Sequence, residues 1–272
     1  MPELPEVETV LHGLKPHLEG ATIQDVIVRQ ARLRWPVPPD LKHCLIQQRI
    51  GTLVRRGKYL LMPVGTGTLI MHLGMSGSLR LVLRNASPGL HDHVDIVFSD
   101  THLLRYTDPR RFGALLWTDD EAMQHRLLSS LGPEPLEPGF NAEYLHHSIK
   151  NRRIAIKSYI MDSHVVVGVG NIYAAEALFL AKIHPAMPAG QLSEIACMQL
   201  VQSIQLVLQQ AIQQGGTTIK DFVSSSGKPG YFTQRLNVYG RAGLPCNQCS
   251  LPLQSIKLGQ RTTVFCPHCQ YC

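Results

Sequence analysis

The chain begins MPELPEVETV, and its second residue is the first to consider for chemistry. Once Met1 is removed, Pro2 presents a secondary amine beside the carboxyl group of Glu3, with Glu6 one helical turn further on. A secondary amine that condenses with an aldehyde-level carbon gives an iminium ion, which is positive without needing a proton and acts as an electron sink. The ion acidifies the neighbouring C–H and favours elimination; at a sugar C1′ the base would leave first and the 3′ phosphate next. An ordinary α-amine has a pKa of about 7.7–8.0 and burial lowers it, so free base is available at neutral pH. Glu3 would donate a proton if a less polar setting raised its pKa, and Glu6 would share it. The same residues also suit an ordinary helix start, with proline and acids in the first turn. The ten residues alone leave both readings open.

A second constellation lies at the other end. Cys246-x2-Cys249 and Cys266-x2-Cys269 are separated by sixteen residues. Each pair can aim two thiolates at one tetrahedral ion while the intervening chain forms a ribbon, so the spacing implies one structural Zn2+ with a complete thiolate shell. Such an ion stiffens a hairpin too small to fold on its own core. Arg261 stands near the middle of the loop between the pairs, as a phosphate ligand or an exposed side chain. Cys44, Cys197 and Cys272 remain over; the first two read as buried or incidental thiols, and Cys272, beside Tyr271, could compete for the metal. His91, Asp92, His93 and Asp95 in HDHVD have metal-ligating types but no third convergent ligand, and read as a polar strand end.

Net charge is +6, and residues 222–272 hold Lys228, Arg235, Arg241, Lys257 and Arg261 with no acid after Asp221. A basic module of one sign attracts a polyanion, nucleic acid above all, although a solvated basic face has the same composition. Three loops suit such a partner. VVVGVGNIYAAEALF places Gly168 and Gly170 before a helical segment, where backbone N–H groups and Asn171 can face a phosphodiester; the dinucleotide fingerprint lacks its third glycine. DPRRFG sets arginines before Phe112, so that a guanidinium and a ring can stack. HLGMSGSLR carries Met75 on a glycine-flanked loop. Either of the last two is also an ordinary hairpin tip.

These residues require elements to hold them. Residues 1 to about 133 alternate short apolar runs (YLLMPVGTG, TLIMHLGMSGSLRLVL, HVDIVFSDTHLLRYTD, FGALLW) with turn residues, the pattern of an antiparallel sandwich or barrel. A helix with Val7, Val10, Leu11 and Leu14 on one face precedes them. Pro133, Pro135 and Pro138 mark a hinge. Beyond it, NAEYLHHSIKNRRIAIKSYIMD and SEIACMQLVQSIQLVLQQAIQQGG have helical period, the second with Ser193 as N-cap and Gly215-Gly216 as its stop. No run approaches the roughly 20 consecutive apolar residues of a bilayer span, and the acidic N-terminus is unlike a signal peptide, so a cytoplasmic location without membrane is expected.

MPELPEVETV, RRGKYLL, HLGMSGSLR, HDHVD, YTDPRRFGA, GVGNIYAAEALF, GGTTIKDF, GKPGYF, VYGR and the four-cysteine ribbon with GQRTTVFCPHCQ occur in order over nearly the whole chain. In this set the chain resembles bacterial formamidopyrimidine-DNA glycosylases. The resemblance implies an α+β multidomain fold: an N-terminal β-sandwich catalytic domain with flanking helices over 1–133, a helix–two-turn–helix DNA-binding domain over 134–225, and a C-terminal zinc finger over 236–272. It implies a monomeric base-excision-repair enzyme of the bacterial cytoplasm and nucleoid. Such an enzyme removes 8-oxoguanine and formamidopyrimidines from double-stranded DNA and then cleaves the strand by β,δ-elimination. By matching motifs it implies Pro2 as the Schiff-base nucleophile, Glu3 as proton donor, Lys58 for β-elimination and Arg261 for δ-elimination. It further implies DNA contacts by His91, Arg110 and Arg152, with Lys157 and Asn171 near phosphates around the flipped nucleotide. Met75, Arg110 and Phe112 would fill the gap left by the extruded base. Thr217–Tyr231 would cover that base. Ser226, Ser250 and Ala175 depart from the usual pattern before GKPG, after Cys249 and after NIYA. An endonuclease VIII-like glycosylase acting on oxidised pyrimidines, which the PELPEV start and the Met75, Arg110 and Phe112 set argue against, and a non-catalytic zinc-ribbon DNA binder are the alternatives.

Overall fold

The structure is a computed structural model that describes residues 2–215 and 236–271. Thr217–Tyr231, expected to cover a damaged base, lies outside the described residues, as do Ser226 and Cys272. The chain divides into two compact units, one running to Ser130 and the other holding Leu131–Gln213 and the C-terminal segment.

In the first unit the elements run α1 (Leu4–Leu18), β1 (Asp25–Val28), α2 (Leu41–Leu45), β2 (Val54–Arg56), β3 (Tyr59–Val64), β4 (Gly67–His72), β5 (Ser78–Leu83), β6 (Asp92–Val97), β7 (His102–Thr107) and β8 (Ala114–Thr118). They form two antiparallel four-stranded sheets, ordered β1-β6-β7-β5 and β2-β3-β4-β8. Period-two alternation turns Leu60, Met62 and Val64 of β3 and Leu69 and Met71 of β4 into one core with Val94 and Ile96 of β6 and Leu104 and Tyr106 of β7. Val7, Val10, Leu11 and Leu14 of α1 join that core, as the helical spacing predicts.

The outer face of the β1-β6-β7-β5 sheet carries a charge ladder. Asp95 sits directly across from Arg105 in the register, is wholly buried, and accepts bonds from Arg105 Nε and Nη2 (both 2.9 Å) and Arg29 Nη2 (2.6 Å). Arg105 also donates to the carbonyls of Ala86 (3.0 Å) and Ser87 (3.2 Å), which lashes the loop before His91 onto the sheet. HDHVD is therefore no polar strand end: Asp95 lies inside β6, and opposed guanidinium groups make its burial tolerable.

The second unit contains α3 (Ala142–Ser148), α4 (Ile156–Ile160), α5 (Asn171–Leu180), α6 (Glu194–Gln213) and the hairpin β9 (Gln254–Leu258) and β10 (Arg261–Phe265). The stretch read as one helix over NAEYLHHSIKNRRIAIKSYIMD is broken between α3 and α4, where Asn151 takes a left-handed φ of 62°. The proline segment is docked rather than free, since Gln205 of α6 donates to the carbonyl of Pro135 (3.1 Å). Ser193 caps α6 as expected, its Oγ accepting from Ala196 N–H (3.2 Å). Among the described helices α6 is the one long and apolar enough to compare with a bilayer span; Cys197, Leu200, Ile204 and Leu208 turn its apolar face into this unit, against α3 and α5.

The ribbon shares a core with α5: Ala175 and Phe179 pack with Val238, Leu253 and Val264. Buried Glu176 of α5 secures the approach to the ribbon, accepting backbone N–H bonds from Asn237 (2.8 Å), Val238 (2.9 Å) and Tyr239 (2.9 Å).

Burial alone would raise the carboxyl of Asp95, but the hydrogen bonds from Arg105 and Arg29 outweigh it and hold the group below its ordinary 3.8. Its stabilisation is thus present above that value and lost as pH falls through the lower folded one. Asp95→Asn is expected to cost about 3–5 kcal/mol, because it strands the buried Arg105 guanidinium. It should also remove this part of the acid dependence. Both tryptophans, Trp35 and Trp117, lie in the first unit, so urea unfolding followed by their fluorescence against pH is the check.

Candidate functional site

In the first unit Pro2 is buried immediately before α1, and Glu3 is its N-cap. Glu3 and Glu6 form a reciprocal capping box, with Glu6 Oε2 accepting the Glu3 backbone N–H at 2.8 Å. Both carboxyl groups are almost completely buried. Glu6 thereby pins the backbone that carries Pro2 and Glu3, a positioning part that its spacing alone did not reveal.

Lys58 stands in the two-residue turn between β2 and β3, where Gly57 takes a φ of +57°, a region a side chain rarely adopts. The next residue, Tyr59, pairs with His72 across β3 and β4, with ring centroids 4.8 Å apart. Burial, with the charges of Lys58 and Arg34, pushes the His72 imidazole down to about 4, so it is neutral near pH 7. Its Nδ1 accepts Gly74 N–H at 3.0 Å.

Met75 and the pair Arg110 and Phe112 come from the two loops that follow β4 and β7, and all three line one cavity with His72. The Arg110 guanidinium lies over the Phe112 ring at 5.0 Å, the stack that DPRRFG implies. Asp108 holds both loops. Its wholly buried carboxylate accepts from Ser76 Oγ (2.8 Å) in the first loop and Gly113 N–H (2.8 Å) in the second, and from Tyr106 OH (3.2 Å) beneath them. Burial and the neighbouring Asp108 raise the Tyr106 phenol well above its ordinary range and keep it a donor. A Cβ on Gly74 would lie 2.4 Å from the Phe112 carbonyl carbon, so the loops touch backbone to backbone. His91 is exposed, and its carbonyl accepts Asp108 N–H at 3.0 Å.

In the second unit Lys157, Asn171 and Arg261 line one cavity of about 240 Å3. Gly168, at a φ of +82°, and Gly170, the N-cap, deliver Asn171 to the first position of α5. Lys157 is almost fully buried and donates to Asn171 Oδ1 (2.7 Å) and Thr263 Oγ1 (2.8 Å). Arg261 is not in mid-loop: it opens β10 directly after the Gly259-Gln260 turn, whose φ angles of 51° and 65° match a tight hairpin. Alternation then sets Arg261 and Thr263 on one face of β10. Arg152 is exposed on a different loop, its carbonyl accepting Gly190 N–H at 2.8 Å.

The ligand atoms of Cys246, Cys249, Cys266 and Cys269 lie within 4.8 Å of one another. Cys246 and Cys269 sulfurs are 3.9 Å apart and those of Cys249 and Cys266 3.5 Å. Tetrahedral zinc with bonds of about 2.3 Å needs a similar spacing. Gln248 and Cys269 N–H groups point at the Cys246 (3.4 Å) and Cys266 (3.3 Å) sulfurs, which favours thiolates. The set fits one structural zinc ion. His72, Asp108 and Thr263 were missed from sequence, although each stands inside a quoted motif (HLGMSG, YTDPRRFGA, GQRTTVF) and was read as strand or turn.

A β-sandwich followed by a helical unit with a four-cysteine ribbon, its exposed cations grouped in cavities, defines a class of zinc-finger protein suited to a polyanion. Family profiles agree along the chain: "Formamidopyrimidine-DNA glycosylase N-terminal domain" matches residues 1–115, "Formamidopyrimidine-DNA glycosylase H2TH domain" 131–223, and "Zinc finger found in FPG and IleRS" 243–270. A formamidopyrimidine-DNA glycosylase of Saccharophagus degradans is 56% identical over 99% of this chain and 100% of its own length. A Lactococcus lactis FPG mutant in complex with Fapy-dG-containing DNA superposes with a TM-score of 0.91 at 37% identity, covering 99% of each chain. MutM in complex with carbocyclic 8-oxo-G-containing DNA gives 0.90 at 38% identity, again covering 99% of each. The chain belongs to the formamidopyrimidine-DNA glycosylase family.

Cys249→Ser is expected to leave the chain with much less than one zinc ion by atomic emission and to lower the unfolding midpoint of the ribbon. Full zinc retention would contradict the assigned ligand set.

Proposed function

We propose that the chain removes oxidised purines, 8-oxoguanine and formamidopyrimidines, from double-stranded DNA and then cleaves the strand by β,δ-elimination. The relatives crystallised with Fapy-dG and 8-oxo-G DNA support the substrate class. The observation that carries the chemistry is the buried Pro2-Glu3 start, clamped by Glu6. The amine of Pro2, free once Met1 is removed, attacks C1′; the C1′–N bond breaks, and the base leaves with a proton from Glu3. The C1′–O4′ bond of the sugar then opens, O4′ taking a proton, and leaves the iminium ion at C1′; this makes a C2′ hydrogen acidic, and its loss expels the 3′ phosphate, with Lys58 assisting. A second elimination expels the 5′ phosphate, with Arg261 assisting.

Met75, Arg110 and Phe112 fill the space of the extruded base, and the Asp108 hub keeps them ready, lowering the cost of base flipping. His91, Arg152, Lys157 and Asn171 contact the backbone around the flipped nucleotide. The segments 1–133, 134–225 and 236–272 serve as catalytic domain, helix–two-turn–helix domain and zinc finger of a monomer acting in the bacterial cytoplasm on the nucleoid.

The capping box would exist in a mere helix start too, so the test is covalent. Borohydride with an 8-oxoguanine duplex should trap wild-type protein, and Pro2→Gly should abolish trapping while duplex binding survives; normal trapping by the variant would remove Pro2 as nucleophile. Glu3→Gln should slow base release about 10²–10⁴-fold, as loss of a general acid does. It should still form an adduct with a preformed abasic site. Arg261→Ala is expected to accumulate the β-elimination product on a sequencing gel, and an unchanged yield of the δ product would sink its assignment.

A further inference from the structure

The first unit pairs Arg29, Arg55, Arg80, Arg84 and Arg105 with carboxylates. Arg32, Arg34, Arg110 and Arg111 instead line one cavity of about 760 Å3, and among the described residues none of the four makes an ion pair. Four guanidinium groups held together without a counter-charge repel one another, an arrangement suited to a polyanionic ligand. Arg110 belongs to the base-gap trio, but Arg32 and Arg34 have no part in the chemistry above.

Their loop is built, not loose. Val37 N–H donates to Ala31 O at 2.9 Å and closes it, with Arg32 and Pro36 bridged across. Arg34 N–H donates to Gly113 O at 3.1 Å, which ties the loop to the residue after Phe112. The Arg34 guanidinium lies over the Trp35 ring at 4.8 Å, repeating the Arg110–Phe112 stack in the same cavity. Stacking leaves the edge of a planar guanidinium open to the bidentate bonds a phosphate accepts.

We propose that Arg32 and Arg34 hold backbone phosphates of the strand opposite the damaged base. The inference rests on the proposed function, in which Lys58, His91, Lys157, Asn171 and Arg261 are committed to the lesion-bearing strand. The gap-filling trio faces the unpaired partner base, and the cations sharing its cavity are the ones left for the strand that carries that base.

The test uses full-length protein with R32A and R34A combined, and R32K and R34K combined as its partner. Binding to an oligonucleotide with an abasic-site analogue is titrated against potassium chloride, single-stranded and annealed to its complement. For the duplex the alanine variant is expected to lose about 1.8 from the slope of log affinity against log salt, roughly 0.9 for each phosphate released. The lysine variant should keep the wild-type slope. Single-strand binding, and borohydride trapping on a single-stranded abasic oligonucleotide, should match wild type. An unchanged duplex slope overturns the proposal, as does an equal loss on the single strand, which would put the arginines on the lesion strand. Failure of wild-type protein to be trapped would instead strike the proposed function, since the slope is read from binding alone.

Discussion

Asp108 is a carboxylate with no access to water, and the two loops that carry Met75, Arg110 and Phe112 are organised around it. An isolated buried carboxylate would be expensive, so every oxygen must be satisfied by a donor in place. The donors are Ser76 from one loop, Gly113 and the Arg110 N–H from another, and Tyr106 from β7 beneath them. Its main chain adds a bond in each direction, to the His91 carbonyl and, through its own carbonyl, to His93 Nε2 at 2.7 Å. One charge thus requires both loops to take one arrangement, and Met75, Arg110 and Phe112 inherit their positions from it. The Arg34 loop, joined through Gly113, inherits its position at one remove.

The second unit repeats the principle with other groups. Glu176 gathers three consecutive N–H groups ahead of the ribbon, and Lys157 distributes its protons to Asn171 and Thr263. The bonds seen at Asp108, Glu176 and Lys157 run to neutral donors and acceptors. Neutral partners do not cancel a charge, and exposed Arg261 makes no ion pair among the described residues. Arg29, Arg80 and Arg105 behave differently: carboxylates neutralise them, and they fasten the sheet. The cations that hold the fold are thus distinct from those that make no ion pair among the described residues.

Much of this was legible along the chain. The α1 stripe, the β-rich first half, the cysteine pairs, the Gly168-Gly170 approach to Asn171 and the arginine–phenylalanine stack depend on neighbours within a few residues, where periodicity and turn chemistry act. The break between α3 and α4 was not, because NAEYLHHSIKNRRIAIKSYIMD keeps helical spacing across a point where Asn151 turns left-handed. Asp95 read as a strand-end polar residue because the Arg105 that neutralises it stands ten residues away on another strand.

By itself the sequence determined which groups are available: a proline at position 2 with two carboxyl groups behind it, four thiols in zinc spacing, and a C-terminal stretch with no acid after Asp221. Tertiary structure alone decided which of them are buried, paired or left exposed. Asp108 became a hub, Glu6 a clamp, His72 a neutral acceptor, and Arg32 and Arg34 cations in one cavity that make no ion pair among the described residues. The reason is physical: a group's charge state and freedom depend on the atoms within a few ångströms, and in this fold those atoms come from strands and loops that the chain order keeps apart.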